Sequence, residues 1–251
     1  MTIETFHERP PSPESGSGTA GVREPGLRGP QYPISPDDLE RLAAACLKDV
    51  DAALDLVQQW QMAGHDIEDI YLHGIAPCAR LLGEWWRCDT ANFAQVSIGS
   101  TNLQRLLHRL SDEFCAPGTD RPLTLSVLLA AEPQSQHTLG PFMLGEFFRR
   151  SGWQVQHVAP QAAEDVLDHL GRDWFDAVGL SVSTSRQIEV VRDLLPRLRQ
   201  ASPNDKLKVL VGGPISEWSP GALQSLDIDL LGGDARQTVQ LLGQLITAKS
   251  N

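Results

Sequence analysis

Residues Ala131 to Gly140 read AEPQSQHTLG, and they set one histidine, His137, between two stretches of opposite periodicity. Before it, Leu123 to Ala130 (LTLSVLLA) is a short, nearly continuous apolar run, the pattern of a strand covered on both faces. After it, Phe142, Met143, Phe147 and Phe148 recur at helical spacing, and Arg149-Arg150 with Gly152 closes the helix. His137 is therefore expected on the loop that leaves the carboxyl end of a strand.

Downstream the same alternation repeats. Strand-like runs fall at Leu123 to Ala130, Trp153 to Val158, Ala177 to Ser181, Leu207 to Val211 and Ile228 to Leu231, with helical stretches at about 139–150, 162–171, 185–200, 219–225 and 234–247. Five βα units imply an α/β domain, a parallel five-stranded sheet wrapped by helices. Such a sheet binds ligands beyond the carboxyl ends of its strands, where the strand order reverses. Four of those ends carry small or polar residues: Gln134, Ser135, His137 and Gly140; Ser181, Ser183 and Thr184; Gly212-Gly213-Pro214; and Gly232-Gly233-Asp234. Paired glycines allow a ligand close to the backbone, and they serve ordinary tight turns equally well.

Upstream, the segment APGTDRP (Ala116 to Pro122) breaks the pattern and is the expected domain boundary. Residues 35–116 read as four helices with short connections, a bundle. Ser35-Pro36-Asp37-Asp38 opens the first, with Ser35 as N-cap and Pro36 at the first helical position. Leu39, Leu42 and Cys46 mark that helix; Val50, Ala53, Leu54 and Val57 the second; Ile67 through Leu82 to Trp85 the third; Val96, Leu103, Leu106, Leu107 and Leu110 the fourth. Residues 1–34 are rich in Pro, Gly, Ser and Glu and hold too few apolar positions to offset the entropy of ordering, so a disordered arm is expected there.

Composition narrows the function. With 21 Lys+Arg against 32 Asp+Glu the formal charge is -11, which opposes the phosphate backbone, and direct nucleic-acid binding is not expected. Cys46, Cys78, Cys88 and Cys115 show no CxxC spacing and read as free thiols in a reducing compartment. MTIETFHERPPSPESGSG holds no apolar signal core, and no window approaches a membrane span, which leads to a cytoplasmic expectation. Familiar chemistries on this fold are excluded by their residues. Ser181-Val182-Ser183 offers no phospho-acceptor aspartate, the first loop lacks G-x-G-x-x-G, and neither a P-loop nor Gly-x-Ser-x-Gly occurs.

What remains is a spaced set: Ser135-x-His137-x-x-Gly140, Ser181-Val182-Ser183 after 40 intervening residues, then 28 residues (184–211) and Gly212-Gly213. This resembles the signature of the cobalamin-binding domain, Asp-x-His-x-x-Gly, Ser-x-Leu and Gly-Gly, a flavodoxin-like fold that often follows a helical cap. The resemblance implies that His137 binds cobalt from below and displaces the cofactor's dimethylbenzimidazole. It further implies that Ser135, Thr138, Gly140, Ser181, Ser183, Gly212, Gly213, Gly232 and Gly233 line the cofactor and its nucleotide tail. Gly83-Glu84-Trp85-Trp86 would come from the cap, over the upper corrin face, although adjacent tryptophans at a helix end are more generally core or interface residues.

More narrowly, GEWWRCDTANFAQVSIGSTNLQRLLHRL (from Gly83), GEFFRRSGWQV (from Gly145) and VGLSVS (from Val178) resemble the cobalamin-binding antirepressors of purple photosynthetic bacteria. That resemblance, over about 37–249, implies a non-enzymatic, light-responsive regulator that binds a transcriptional repressor. Two positions depart from related patterns. Ser135 stands where the family has aspartate, a neutral partner that cannot raise imidazole basicity as a carboxylate does. Counting from Trp86, Val96-Ser97 stands where related light-responsive repressors carry Glu-His, so no upper histidine comes from there. His65, His73, His108, His157 and His169 read as packed or surface residues, and His7 of the arm is the other imidazole within reach of an open cobalt face. The competing functions are a corrinoid methyl carrier serving a methyltransferase and a haem sensor with His137 as axial ligand.

Overall fold

The computed structural model describes residues 33–116, 125–131, 138–214 and 220–248. Ser135 and His137, residues 1–32 of the expected arm and residues 117–122 of the expected boundary lie outside the described residues.

The amino-terminal half is helical. It comprises α1 (Pro36–Lys48), α2 (Val50–Met62), α3 (Ile67–Asp69), a π-helical turn (Ile70–Ile75), α4 (Ala76–Arg87) and α5 (Phe93–Phe114). The caps are written in the sequence. Ser35 and Asp38 form a reciprocal capping box, Asp49 accepts from the Ala52 N–H to start α2, and Asn92 with Gln95 repeats the box at α5. The expected third helix runs through Ile67 to Trp85 with a π turn inside it. Pro77 has no N–H to give the His73 carbonyl four residues back, and the ladder shifts so that the Ala76 N–H reaches Tyr71 O instead. Gly74 lies inside that turn because the Trp60 indole packs against it; a Cβ there would stand 2.7 Å from the ring.

After these helices come β1 (Ser126–Ala130), α6 (Leu139–Arg150), β2 (Gln154–Val158), α7 (Ala163–Arg172), β3 (Ala177–Ser181), α8 (Ser185–Ala201), β4 (Lys208–Gly212), α9 (Pro220–Leu223), β5 (Leu230–Leu231) and α10 (Ala235–Thr247). The five strands are all parallel in the order β2-β1-β3-β4-β5, a flavodoxin-like sheet whose order reverses between β1 and β3. Alternation along β1 assigns the faces. Val127 and Leu129 join α6 and α10, whereas Leu128 and Ala130 join α7 and α8.

The first of those two cores does not stop at the sheet. It continues through Phe147 and Phe148 of α6 into Phe114, Leu107 and Leu103 of α5 and on to Leu42 and Trp60. The helical half is thus docked on α6 by one continuous apolar core. Tyr71, Phe114 and Phe147 are its junction, with centroids 4.1 Å apart for Tyr71–Phe114 and 4.9 Å for Phe114–Phe147.

The far edge of the sheet holds a mostly buried ion pair, Lys208 Nζ to Asp229 Oδ1 at 2.6 Å. Burial alone would raise the Asp229 carboxyl, but hydrogen bonds from Lys208 and the Val209 N–H, with the charges of Lys208 and Arg199, hold it below the usual carboxylate range. A depressed carboxylate stabilises the fold above its unfolded pKa of about 3.9, and that contribution is lost as pH falls through the lower folded value. Asp229→Asn leaves Lys208 without its counter-charge and is expected to cost about 2 kcal/mol in urea unfolding at neutral pH. The deficit should shrink below about pH 4.

Candidate functional site

The direction of α5 positions the site. Its Gln104 Nε2 donates to Thr138 Oγ1 at the start of α6, at 2.9 Å, and its His108 ring lies 4.3 Å from Phe142 one turn later. Its last residue, Phe114, accepts a bond from Arg150 at the end of α6. The two helices therefore run side by side, and both run opposite to the strands. The residues of α5 before Gln104 have no part of α6 beside them. From Phe93 to Gln104 is 11 residues, so α5 projects about 16 Å beyond the start of α6, past the carboxyl edge of the sheet.

Phe93, Ser97, Thr101, Gln104 and His108 share one face of α5 by helical spacing. Trp86 meets Phe93 edge-on, with centroids 6.3 Å apart, and the two are 56% and 72% exposed. The overhang thus carries an uncovered aromatic pair. Trp85 is a different case. It packs against the cap core, and its carbonyl accepts from Thr90 N and Ala91 N, which fastens the turn from α4 into α5. Of the two expected tryptophans, Trp86 is the one that faces outward.

Across from the overhang stand the strand ends. Ser181 closes β3 in register with Gly212 of β4, and the Val182 N–H donates to Gly212 O at 2.8 Å. The Ser183 and Thr184 N–H groups both donate to Gln187 Oε1, so this loop is fixed by a residue of α8 that the sequence motif does not include. Gly213 has φ +104°, and a Cβ there would stand 2.5 Å from Val182 O. Gly212 and Gly232 touch backbone to backbone: a Cβ on Gly232 would lie 3.3 Å from Gly212 Cα. Gly213 and Gly232 thus answer to the packing of the strand ends themselves, whereas a Cβ on Gly212 would make only an ordinary contact, 3.6 Å from Gly232 Cα.

Gly140 and Gly233 differ. Among the described residues an added Cβ at either meets nothing within 4 Å, as at Gly83 and Gly221, and neither has the positive φ that favours glycine. Gly140 lies in the first turn of α6 and Gly233 after β5, and exposed backbone at those places would allow close approach of a ligand. Gly233 is also held, its N–H donating to Thr238 Oγ1 at 3.2 Å. The expected site residues Thr138, Gly140, Ser181, Ser183, Gly212, Gly213, Gly232 and Gly233 therefore all lie at the carboxyl edge. Ser135 and His137 lie outside the described residues, in the stretch joining Ala131 to Thr138. Sequence reasoning missed Phe93, Gln104 and Gln187; only the capping position of Gln187, three residues after Thr184, was visible.

A family model for the B12 binding domain matches residues 125–242. An uncharacterized 20.5 kDa protein of Rhodobacter capsulatus, from the bchF-crtJ intergenic region, is 30% identical over 179 residues, 71% of this chain and 93% of that protein. The chain belongs to the cobalamin (B12)-binding family. Cobalamin is its cofactor. Among solved structures, the monomethylamine corrinoid protein of Methanosarcina barkeri shares the fold with a TM-score of 0.66 at 16% identity, over 82% of this chain and 96% of that one. A cobalamin-binding protein of Desulfitobacterium hafniense matches with a TM-score of 0.44 at 18% identity, over 83% of this chain and 97% of that one.

The residues present fit that cofactor: the exposed backbone at Gly140 and Gly233 would admit it closely, and the exposed rings of Trp86 and Phe93 would give it an apolar wall. Gly140→Leu and Gly233→Leu are expected to change stability by less than about 0.5 kcal/mol while weakening cobalamin binding at least about tenfold. Gly213→Ala, by contrast, should destabilise the fold by about 2 kcal/mol. Thermal unfolding of the cofactor-free protein and equilibrium titration with cobalamin separate the two effects. Trp86→Ala should alter cobalamin affinity or its dependence on upper-ligand size, whereas Trp85→Ala should chiefly lower stability, by about 2 kcal/mol.

Proposed function

We propose that this protein is a cytoplasmic, light-responsive cobalamin regulator without enzymatic activity, which acts as an antirepressor by binding a transcriptional repressor of photosynthesis genes. The observation that supports this reading most is the overhang. Its outward face offers Trp86, Phe93, Ser97 and Thr101, which would cover a cofactor and include no ionisable side chain to work on one. The Rhodobacter capsulatus relative is named for a position between bchF and crtJ, among photosynthesis genes. Among the described residues no helix is long and apolar enough to cross a membrane.

Bound cobalamin would supply a visible-light-absorbing corrin and an exchangeable cobalt ligand. By family resemblance His137 would hold the cobalt, Trp86 and Phe93 would cover the corrin, and Gly140, Ser181 and Gly233 would hold the nucleotide tail. A shift of α4 and α5 on illumination of the loaded protein would alter the outer surface of the cap, and a tenfold preference for a partner needs only about 1.4 kcal/mol of differential interaction. The charge of -11 opposes direct contact with DNA, so the effect on transcription passes through a protein.

The test is an operator-binding titration of the photosynthesis-gene repressor, with this protein empty or cobalamin-loaded, in darkness and after illumination. Release of the repressor by the loaded protein in one light state, and not in the other, is the expected outcome. No effect in any state overturns the antirepressor reading, and methyl transfer from the loaded protein to an acceptor thiol would assign it as a corrinoid methyl carrier instead.

A further inference from the structure

Strand β2 stands at one edge of the sheet, paired to β1 alone. Two bonds fix which way its backbone faces. The Gln154 N–H donates to Leu125 O, and Val158 O accepts from the Ala131 N–H, so residues 154, 156 and 158 turn their polar groups toward β1. Val155 and His157 alternate with them and aim an N–H and a C=O each away from the sheet. Among the described residues nothing is bonded to those four groups. Edge strands are ordinarily blunted by a charge, a proline, a bulge or a covering element. β2 reads QVQHV, keeps an unbroken register with β1, and leaves Gln154 and His157 exposed.

The edge is held firmly from both faces. On one, a Cβ on Gly145 of α6 would collide with the His157 imidazole, which packs on that bare backbone. On the other, Gln156 Nε2 shares a hydrogen bond of 2.9 Å with His169 Nδ1 of α7. Pairing along a strand already fixed costs little further ordering. Charge is arranged about the Gln156–His169 contact. Asp165 lies four residues before His169 and Arg172 three residues after it, and with Asp168 they line a groove at the end of β2. α7 runs opposite to β2, because it links two parallel strands.

We propose that β2 is the contact of a symmetric dimer, in which two copies of this chain join their five-stranded sheets edge to edge. A two-fold axis beside Gln156, normal to the sheet, makes the two β2 strands antiparallel and keeps each sheet face on its own side. Val155 of each copy then lies opposite His157 of the other, each such pair exchanging two backbone bonds, and Gln156 faces Gln156. The same axis reverses α7. At a rise of about 1.5 Å per residue, Arg172 of one copy falls between Asp165 and Asp168 of the other. This charge complementarity selects a second copy over a foreign strand. The far edge of the sheet, β5, has only two residues and offers no matching strand for open-ended stacking, so the contact closes as a dimer.

The position of the axis supplies the test. Gln156→Lys sets two ammonium groups against each other across it, and Gln156→Glu sets two carboxylates. Sedimentation equilibrium of the full chain over a micromolar dilution series reads the mass of the parent, of each variant and of their equimolar mixture. The parent is expected to reach twice the monomer mass, each variant to dissociate at least about tenfold more readily, and the mixture to regain the parental dimer. A second readout uses the parent alone and holds even where a variant fails to fold. The Val155 and His157 amides should exchange hydrogen more slowly as concentration rises, while those of Gln154 and Gln156, which face β1, keep their rates. A parent that stays monomeric through the series overturns the proposal, as do Val155 and His157 amides whose exchange ignores concentration. A dimer that survives in both folded variants, or that mixing them fails to restore, places the contact elsewhere and overturns it too.

Discussion

The packing of Tyr71, Phe114 and Phe147, one stacked pair met edge-on by the third ring, is the contact on which the arrangement of this molecule depends. Each ring comes from a different element: the π turn, the end of α5 and the middle of α6. Burying three aromatic rings together makes the helical half and one face of the sheet share a single apolar core. A cap that shares its core with the sheet cannot swing freely. Whatever moves above the cofactor has to move in the part of α4 and α5 that lies beyond this junction.

Charge reinforces the same seam at its outer end. Glu68, at the start of the cap's third helical segment, takes Arg150 of α6 at 2.7 Å and Arg236 of α10 at 2.6 Å, and Arg236 also reaches Asp69. Arg150 lies over the Phe114 ring, 5.2 Å from its centroid, which joins the ion pairs to the aromatic junction. These groups are partly exposed, so their contribution is geometric selection of one docking angle more than stability. The π turn begins next to Asp69, so the helix changes its pitch beside the clamp.

The strand ends show how one residue type answers to two demands. Gly213 and Gly232 are small because neighbouring backbones crowd them, and Gly213 also needs its positive φ; Gly212 would hold a Cβ at ordinary contact, 3.6 Å from Gly232 Cα. Among the described residues nothing crowds Gly140 or Gly233. A motif read as glycine pairs mixes these cases, and only the distances around each Cα separate them.

Local rules made much of this protein legible in the sequence. Period changes around AEPQSQHTLG located β1 and α6, because a doubly covered strand must be apolar throughout and a helix on a sheet must be apolar every third or fourth residue. The cap at Ser35 follows from backbone groups that a helix end leaves unpaired, and the family from motif spacing along the alternating sheet. Tertiary structure decided the rest. The direction in which α5 leaves α6, and with it the exposed pairing of Trp86 with Phe93 and the bond from Gln104 to Thr138, depends on contacts between residues that are not neighbours in sequence. Neither propensity nor periodicity carries that information, because both describe what a segment is and not which neighbour it packs against.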